Sequence, residues 1–175
     1  MAIRENLTAG WAQTTLGELF QFMGGGTPSK RVPSYWNGDI PWASVKDVKD
    51  KYITSTIDTI TDLGLKESAA NIAEPGSLVV LTRIEPGRAA IPRFQVAVNQ
   101  DCKIGYPLGC VDLEWAYYFF LANDREFIKR SSGTTVLGIR STELKAVPVN
   151  LPPLKEQRRI VAKIEELFSE LDNGV

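Results

Sequence analysis

Three segments rich in glycine, small hydroxyl side chains and cations are the parts of this chain best suited to binding chemistry. They span residues 24–31, 82–88 and 130–141. Glycines let backbone N–H groups approach a phosphate, lysine and arginine neutralise its charge, and arginine also binds guanine edges. Between Arg125 and Lys145, five basic residues stand against two acidic ones. Contact with nucleic acid and ordinary surface loops are both compatible with this composition.

The candidate contact residues fall into two sets by the chemistry of their side chains. The cations suited to phosphate or base contact are Lys30, Arg31, Lys46, Arg83, Arg88, Arg130 and Arg140. The hydrogen-bonding candidates are Thr27, Ser29, Gln100, Ser132, Thr134 and Thr135. Gln100 and the preceding Asn99 could bind adenine or simply close a turn. The neighbouring aromatics Tyr35, Trp36, Trp42 and Tyr52 are interpreted as core or loop-anchoring residues.

A second feature is an apolar stripe in residues 151–175. Two prolines, Pro152 and Pro153, fix an extended entry, because proline removes a backbone donor and restricts the residue before it. From Ile160 the stripe recurs at spacings of four, three and four, which is the seam of a coiled coil, and Gln157 lies one step earlier on it. Its members are Gln157, Ile160, Ile164, Leu167 and Leu171. The stripe predicts a partner helix or a terminal helix docked on its own domain, and both interpretations stay open.

Composition argues against an intrinsic enzyme. The 175-residue chain contains no histidine, so a serine–histidine or cysteine–histidine nucleophile and a histidine-ligated metal site are excluded. Cys102 and Cys110 cannot complete a four-ligand zinc site alone, and they favour a reducing, cytoplasmic setting. No apolar run reaches the length of a membrane span. We expect no metal, no cofactor and no membrane contact. A net charge of −1 lends no support to a free-standing DNA-binding domain.

The pattern of elements predicts an α+β fold. Many short strands precede an aromatic-rich interior helix at residues 113–129, and a coiled-coil helix follows at the C-terminal end. Residues 77–83 are apolar enough for a central strand, whereas Pro41 predicts an edge strand at residues 40–45. We expect a strand-rich globular domain at residues 1–150 and a proline-led helix at residues 151–175.

The landmarks of the whole chain, taken in order, are individually weak. They are Trp11 with Leu16-Gly17-Glu18, Gly25-Gly26-Thr27-Pro28-Ser29-Lys30, Tyr35-Trp36-Asn37-Gly38-Asp39-Ile40-Pro41-Trp42, Pro75-Gly76-Ser77, Leu81-Thr82-Arg83, Asn99-Gln100-Asp101, Ser132-Gly133-Thr134-Thr135, Leu151-Pro152-Pro153-Leu154 and Glu156-Gln157. Their combination resembles the specificity subunit of type I restriction-modification systems.

The resemblance implies a DNA-recognition role. A complete subunit of that family has two target recognition domains, each followed by a long helix, and the helices pair as an antiparallel coiled coil. Each domain reads one half of a bipartite site for adenine methyltransferase subunits, which bind S-adenosylmethionine themselves. A motor and nuclease subunit can join for restriction. This chain resembles one recognition domain with the start of its spacer helix, either a half subunit or a fragment, and is expected to be non-catalytic.

Two rival functions stay open beside this resemblance. The domain could be cut from a fused restriction–methylation enzyme, or it could be a coiled-coil oligomerisation adaptor that never binds DNA.

The sequence also departs from the family, whose members often place a glycine soon after the Thr-Arg pair. Here Ile84-Glu85-Pro86-Gly87 follows Arg83. The second departure is the predicted C-terminal helix, which spans roughly 25 Å at 1.5 Å per residue. The spacer helix of the family is longer.

Overall fold

The computed structural model of the protein describes residues 10–172. Its strands are β1 (Ala12–Thr15), β2 (Phe20–Gly24), β3 (Trp36–Ala43), β4 (Tyr52–Ile53), β5 (Asp58–Ile60), β6 (Asn71–Ala73), β7 (Leu78–Leu81), β8 (Ala89–Pro92), β9 (Val96–Val98), β10 (Cys102–Pro107) and β11 (Pro148–Leu151). Its helices are α1 (Leu16–Leu19), α2 (Asp62–Lys66), α3 (Leu113–Ala122), α4 (Asp124–Lys129), α5 (Ser141–Lys145) and α6 (Leu154–Asp172), with a short 3-10 helix at Pro33–Tyr35.

This arrangement confirms the predicted α+β class with a C-terminal helix. Residues 1–9 and 173–175 of the two predicted ranges lie outside the described residues. The boundary between the ranges and the coiled-coil state of α6 remain predictions. No helix within residues 10–172 is long and apolar enough to cross a bilayer.

A five-stranded sheet in the order β2-β10-β7-β8-β4 forms the centre of the fold. β7 confirms the predicted central strand, because it pairs with both β10 and β8 and its four residues are all buried. Its side chains alternate between two core clusters: Leu78 and Val80 pack in one, and Val79 and Leu81 in the other. Burial on both faces of the strand explains its continuous apolar run.

A four-stranded sheet in the order β5-β3-β9-β6 lies beside the first. The edge-strand prediction for residues 40–45 is wrong, because β3 has a neighbour on each side. Pro41 is tolerated since the β9 ladder begins only at Trp42 and continues with Ala43, past the proline. On the other side of β3, Pro41 lies opposite Thr59 of β5.

The predicted interior helix at residues 113–129 is two helices, α3 and α4. They separate at Asn123, whose side-chain amide donates to the Phe119 carbonyl at 2.8 Å. This bond gives a terminal carbonyl of α3 a partner outside the helical ladder, which is how asparagine competes with helix continuation. In this helix pair Trp115, Phe120 and Phe127 are buried, whereas Leu121 and Ile128 are more than half exposed.

Candidate functional site: a cluster of loops at one end of the sheet

Several loops meet at the same end of the five-stranded sheet. In the strand register, Gly24 at the end of β2 lies opposite Lys103, and Leu81 at the end of β7 lies opposite Cys102. The segments next to these residues are the glycine loop 24–31, the turn Asn99–Asp101 and the segment 82–88. We call these three segments, together with residues 132–140, the loop cluster. Three of its segments therefore reach one surface because their strands end together.

The glycine loop is joined directly to the turn Asn99–Asp101. Thr27 Oγ1 donates a hydrogen bond to Gln100 Oε1, a contact between residues 73 positions apart. The Gly26 N–H donates to the Val98 carbonyl at 2.9 Å, and the Trp42 indole donates to the Gly26 carbonyl at 3.1 Å. The structure thus brings together two predicted contact residues, Thr27 and Gln100. It also supports the interpretation of Trp42 as a loop anchor.

The turn itself contains a residue that the sequence analysis did not identify, Asp101. Asn99 is only 5% exposed, and it donates from Nδ2 to Asp101 Oδ2 at 3.1 Å and accepts from the Asp101 N–H at 3.0 Å. Of its two proposed roles, Asn99 therefore closes the turn, while Gln100 is exposed. The other oxygen of Asp101, Oδ1, forms an ion pair with Arg83 at 3.1 Å. The Asn-x-Asp spacing of an Asx turn was the available signal.

Residues 132–140 attach to the cluster through the backbone around Arg83. The Ile139 N–H donates to the Thr82 carbonyl and the Ile84 N–H to the Leu137 carbonyl, both at 2.8 Å. Ser132 and Gly138 exchange two backbone bonds, so the stretch between them is a closed loop. Thr134 and Thr135 are exposed in that loop. The predicted residues Arg83 and Ser132 are thus connected to Thr27 and Gln100 in one surface.

Ile84 directly follows the Thr-Arg pair, after which the family often places a glycine. Its φ is +71°, a left-handed conformation that β-branched residues rarely adopt, and its side chain is 51% exposed. A glycine would take this backbone shape without strain. The isoleucine is therefore strained at this position, and it places an apolar side chain next to Arg83 in the sequence.

The predicted cations differ in what holds them. Within residues 10–172 the following exposed cations make no ion pair: Lys30, Arg31, Lys46 and Arg140. Arg88 instead pairs with Glu85, and Arg130 contacts Glu126 at 2.6 Å and Glu143 at 3.8 Å. The guanidinium groups of Arg88 and Arg130 are therefore already engaged by carboxylates, unlike those of Arg31 and Arg140.

Contacts of neighbouring residues fix the positions of three cations that make no ion pair, Lys30, Arg31 and Lys46. Lys30 lies 6.0 Å from the Trp36 ring, and the Trp36 indole donates to the Ser29 carbonyl at 3.2 Å. Ser29 Oγ also accepts a long bond of 3.4 Å from the Arg31 N–H. Lys46 belongs to the turn after β3, whose last carbonyl, that of Ala43, accepts from the Asn99 N–H at 3.0 Å. Lys30 and Arg31 therefore belong to the loop cluster, and Lys46 borders it.

Lys103 is a further cation at this end of the sheet that the sequence analysis did not identify. It lies opposite Gly24 in the ladder and is partly buried. Burial, together with the nearby charge of Lys145, lowers the pKa of Lys103 below its usual value. A lysine whose charge is opposed in this way gains most from a neighbouring anion.

The glycines of the loop serve packing, which differs from the predicted approach to a phosphate. A Cβ atom on Gly25 would lie 2.1 Å from the Asn99 carbonyl oxygen, and one on Gly26 would lie 2.4 Å from the backbone of Ala69. The Gly26 N–H is also already bound to Val98. Glycine is needed here because two stretches of backbone touch.

The C-terminal helix is attached at the opposite end of the sheet, through Gln157. This side chain is fully buried, donates to the carbonyls of Cys110 and Pro152 at 2.9 Å, and accepts from the Asp112 N–H at 2.8 Å. Its amide is thus occupied by its own chain. Gln157 was placed in the coiled-coil stripe by spacing, and the structure corrects this assignment, since it leaves the residue no exposed surface for a second helix.

A charged network holds the middle of α6. Lys51 forms ion pairs with Glu114 of α3 and Glu165 of α6, and Tyr52 donates to Glu114. Partial burial opposes the charge of Lys51, but the two carboxylates outweigh it and raise the pKa of Lys51 above its usual value. The ring of Phe168 lies 6.5 Å from that of Tyr118. Helix α6 is therefore fixed to the domain at several points.

The remaining stripe of α6 becomes more exposed toward its end. Ile160 and Ile164 are partly buried, whereas Leu167 is 47% and Leu171 is 73% exposed. The docked interpretation therefore holds for the start of the stripe, and a partner helix for its exposed end remains a prediction. The first turns dock on the domain, and the last turns present apolar side chains to the surroundings.

Fold and site together define a binding domain, which displays hydrogen-bonding and cationic side chains on loops at one end of a sheet and a partly covered helix at the other. The sequence pattern of the type I restriction modification DNA specificity domain matches residues 8–175. The chain therefore belongs to this family, and the resemblance seen in the sequence is confirmed.

Relatives with known names agree with this assignment. The chain is 30% identical over 166 residues to the type I restriction enzyme MjaIX specificity subunit of Methanocaldococcus jannaschii, covering 92% of this chain and 38% of that protein. It is also 30% identical over 168 residues to the EcoR124I/EcoR124II specificity subunit of Escherichia coli, covering 92% of this chain and 41% of that one. The chain thus spans about two fifths of the relatives it matches.

The fold is that of solved specificity subunits. The crystal structure of the HsdS subunit from Thermoanaerobacter tengcongensis superimposes with a TM-score of 0.75 at 22% identity, covering 99% of this chain and 41% of that one. The type I S subunit from M. genitalium gives a TM-score of 0.66 at 18% identity, with 99% and 42% covered. At this level of identity the similarity supports the architecture.

Proposed function

We propose that the loop cluster binds one half of a bipartite double-stranded DNA site in a sequence-specific manner. The observation that carries this proposal is the convergence of Thr27, Arg83, Gln100 and Ser132 on one surface bordered by unpaired cations. Free lysines and arginines suit phosphate oxygens, and oriented hydrogen-bonding side chains suit base edges. The remaining predicted contacts, Ser29, Thr134 and Thr135, lie on the loops of the same cluster.

The assembly in which this half would act follows from the family. We propose that the chain is non-catalytic and directs adenine methyltransferase subunits to the site, with S-adenosylmethionine bound by those subunits. A restriction and translocase subunit can join the same assembly. The free thiols of Cys102 and Cys110 fit a reducing cytoplasm. Because the chain spans about two fifths of its named relatives, a second recognition half completes the site.

Charge reversal at Arg83 tests DNA binding. The Arg83 side chain is 50% exposed, so Arg83→Glu is expected to leave the fold intact and to weaken DNA binding by about ten-fold to a hundred-fold. The measurement is fluorescence anisotropy of labelled duplex with the methyltransferase assembly across a salt series. Arg159→Glu is the matched control, because it makes the same charge change on a side chain that is 69% exposed at the opposite end of the sheet. Equal affinities of the two variants at low salt would contradict the proposal.

The same salt series separates the two rival functions. An oligomerisation adaptor would show no salt-dependent DNA binding, whereas phosphate contacts make the affinity fall as salt rises. A recognition domain from a fused enzyme would bind DNA but would not associate with separate methyltransferase subunits, and co-purification detects that association.

Among the predicted cations, Arg130 is held by Glu126 and Glu143. Its guanidinium would have to exchange these partners to reach a phosphate.

We further propose that the exposed end of α6 pairs with a helix of a second copy or second half, chiefly through Leu167 and Leu171, with the partly buried Ile160 and Ile164 of the same stripe contributing what surface their own domain leaves uncovered. Leu167→Asp combined with Leu171→Asp is expected to abolish self-association, because two charges would enter the apolar seam. Sedimentation measures the mass. Ala162→Asp is the control, since it places a charge on an exposed position of α6 away from the stripe. A dimer that survives the double substitution would show that the stripe serves only its own domain.

A further inference from the structure

We propose that a cavity at the end of the sheet opposite the loop cluster is the docking site for an acidic segment of the methyltransferase subunit. The cavity has a volume of about 550 Å³ and lies where the domain meets the first turns of α6. The guanidinium groups of Arg93 and Arg158 provide its charge. This inference rests on the proposed function and names the surface that holds the partner.

The strand order places the cavity away from the proposed DNA surface. Its lining includes Pro75-Gly76 before β7, Pro92-Arg93 at the end of β8 and Gly109-Cys110 after β10. The loop cluster instead contains the segments after β7, before β8 and before β10. Because β7 runs antiparallel to both β8 and β10, the cavity and the loop cluster lie at opposite ends of the sheet.

Arg93 is an oriented cation without a counter-ion. Its guanidinium lies 3.6 Å from the centre of the Tyr52 ring, and the Tyr52 hydroxyl donates to Glu114. Its backbone N–H donates to the Ile53 carbonyl at 3.2 Å. Within residues 10–172 no carboxylate pairs with Arg93. An arginine stacked on a ring in this way keeps its N–H edge available for a carboxylate.

Arg158 adds a second charge from the first turns of α6. Its side chain is 69% exposed, and its Nε lies 3.8 Å from Asp112 Oδ2, which is a loose contact. The two carboxylates that line the cavity have partners of their own. Asp112 Oδ1 accepts from the N–H groups of Glu114 and Trp115 at 3.0 and 3.1 Å, and Glu114 is paired with Lys51. The cavity therefore attracts an anion.

The apolar walls of the cavity favour a polypeptide over a phosphate backbone. Pro75, Val111, Leu113 and Leu154 contribute to them. Protein interfaces combine an apolar centre with arginine, whereas interfaces with DNA are more polar and more positively charged. An acidic side chain flanked by apolar residues is complementary to this lining.

A second copy paired along α6 leaves the cavity open. At 3.6 residues per turn, Arg158 lies at least about 120° around the helix axis from each residue of the exposed stripe. These residues are Ile160, Ile164, Leu167 and Leu171. The occupant is therefore a different polypeptide, and the methyltransferase subunit is the partner on which the proposed assembly depends.

Cys110 reports directly on whether the cavity is occupied. It lines the cavity and is exposed, whereas Cys102 is buried. Maleimide alkylation of the natural chain is followed by mass spectrometry for the chain alone, with the purified methyltransferase subunit and with a DNA duplex. We expect the methyltransferase subunit to slow the alkylation of Cys110 by about ten-fold or more, because a covered thiol is inaccessible. The duplex should leave the rate unchanged.

Charge variants test the two arginines by calorimetric titration with the methyltransferase subunit. Arg93→Gln and Arg158→Glu are each expected to weaken binding by about ten-fold at low salt, with a smaller difference at high salt. Arg159→Glu is the matched control, since this neighbouring side chain is equally exposed at 69% and pairs with Glu156 along the helix. Circular dichroism verifies that each variant is folded.

Protection of Cys110 by the duplex alone would overturn the inference, since the guanidinium groups would then hold phosphates. A complex in which Cys110 is alkylated at its free rate, or in which all variants bind equally, would also overturn it. If the natural chain and the methyltransferase subunit form no complex, the proposed function itself fails. The two failures are distinguishable, because only the second removes the titration signal of the natural chain.

Discussion

Replacing Gln157 by methionine is expected to lower the free energy of unfolding by about 3 to 5 kcal/mol. Methionine has a similar length but cannot satisfy the Asp112 N–H or the carbonyls of Cys110 and Pro152, which the buried amide now binds. An unsatisfied buried polar group costs about 1–3 kcal/mol. Urea unfolding of the chain, followed by circular dichroism, measures the change.

Arg159→Met is the matched control for this experiment. The residue lies two positions further along α6, its side chain is 69% exposed, and it makes a surface pair with Glu156. Its replacement should change the stability by no more than about 0.5 kcal/mol. If the two variants unfolded at the same urea concentration, the amide of Gln157 would not anchor α6 in solution.

Replacing Gly25 by alanine is expected to reduce sequence-specific DNA binding by about a hundred-fold or more. The added Cβ would lie 2.1 Å from the Asn99 carbonyl oxygen and 2.4 Å from the Val98 carbonyl oxygen. Because both are backbone atoms, relieving the clash requires a shift of the turn Asn99–Asp101. The displaced turn carries Gln100 and Asp101, so the bond from Thr27 to Gln100 and the ion pair between Arg83 and Asp101 would both be lost. Because a misplacement of about 1 Å is costly for an oriented site, the effect on binding should exceed the effect on stability.

Gly24→Ala provides an adjacent control. A Cβ atom at Gly24 would meet nothing within 4 Å, so both binding and the free energy of unfolding should stay close to those of the natural chain. Anisotropy titrations of the assembled complex give the affinity, and urea unfolding gives the stability. Equal binding by the two variants would show that the turn does not depend on the close approach at Gly25.

The positions of the loops could be predicted from sequence, but the partners of their residues could not. Glycine, hydroxyl and basic side chains identified segments 24–31, 82–88 and 130–141 from local composition alone. The bond between Thr27 and Gln100 joins residues that the chain keeps far apart, and local patterns carry no information on such contacts. The same limit explains why the sequence assigned the glycines to phosphate contact rather than to backbone packing.

Local sequence patterns also misassigned one residue, Gln157, and one strand, β3, and each error has a physical reason. Gln157 falls on the apolar stripe of α6, but periodicity only identifies a buried face and not the surface that buries it. In β3, Pro41 predicted an edge because proline cannot donate to a ladder. The prediction failed because the second ladder starts one residue later, at Trp42. Fold class was easier to predict, since it depends on the sum of many such patterns.

The separation of the loop cluster from the anchors of α6 affects how this protein can evolve. The loops extend from one end of the five-stranded sheet, and Gln157 is held near the other, with fully buried strands such as β7 between them. Substitutions that alter a loop therefore leave the attachment of the helix intact. Under the proposed function, a lineage could therefore acquire a new DNA target in small steps while the helix that is proposed to meet its partners stays attached.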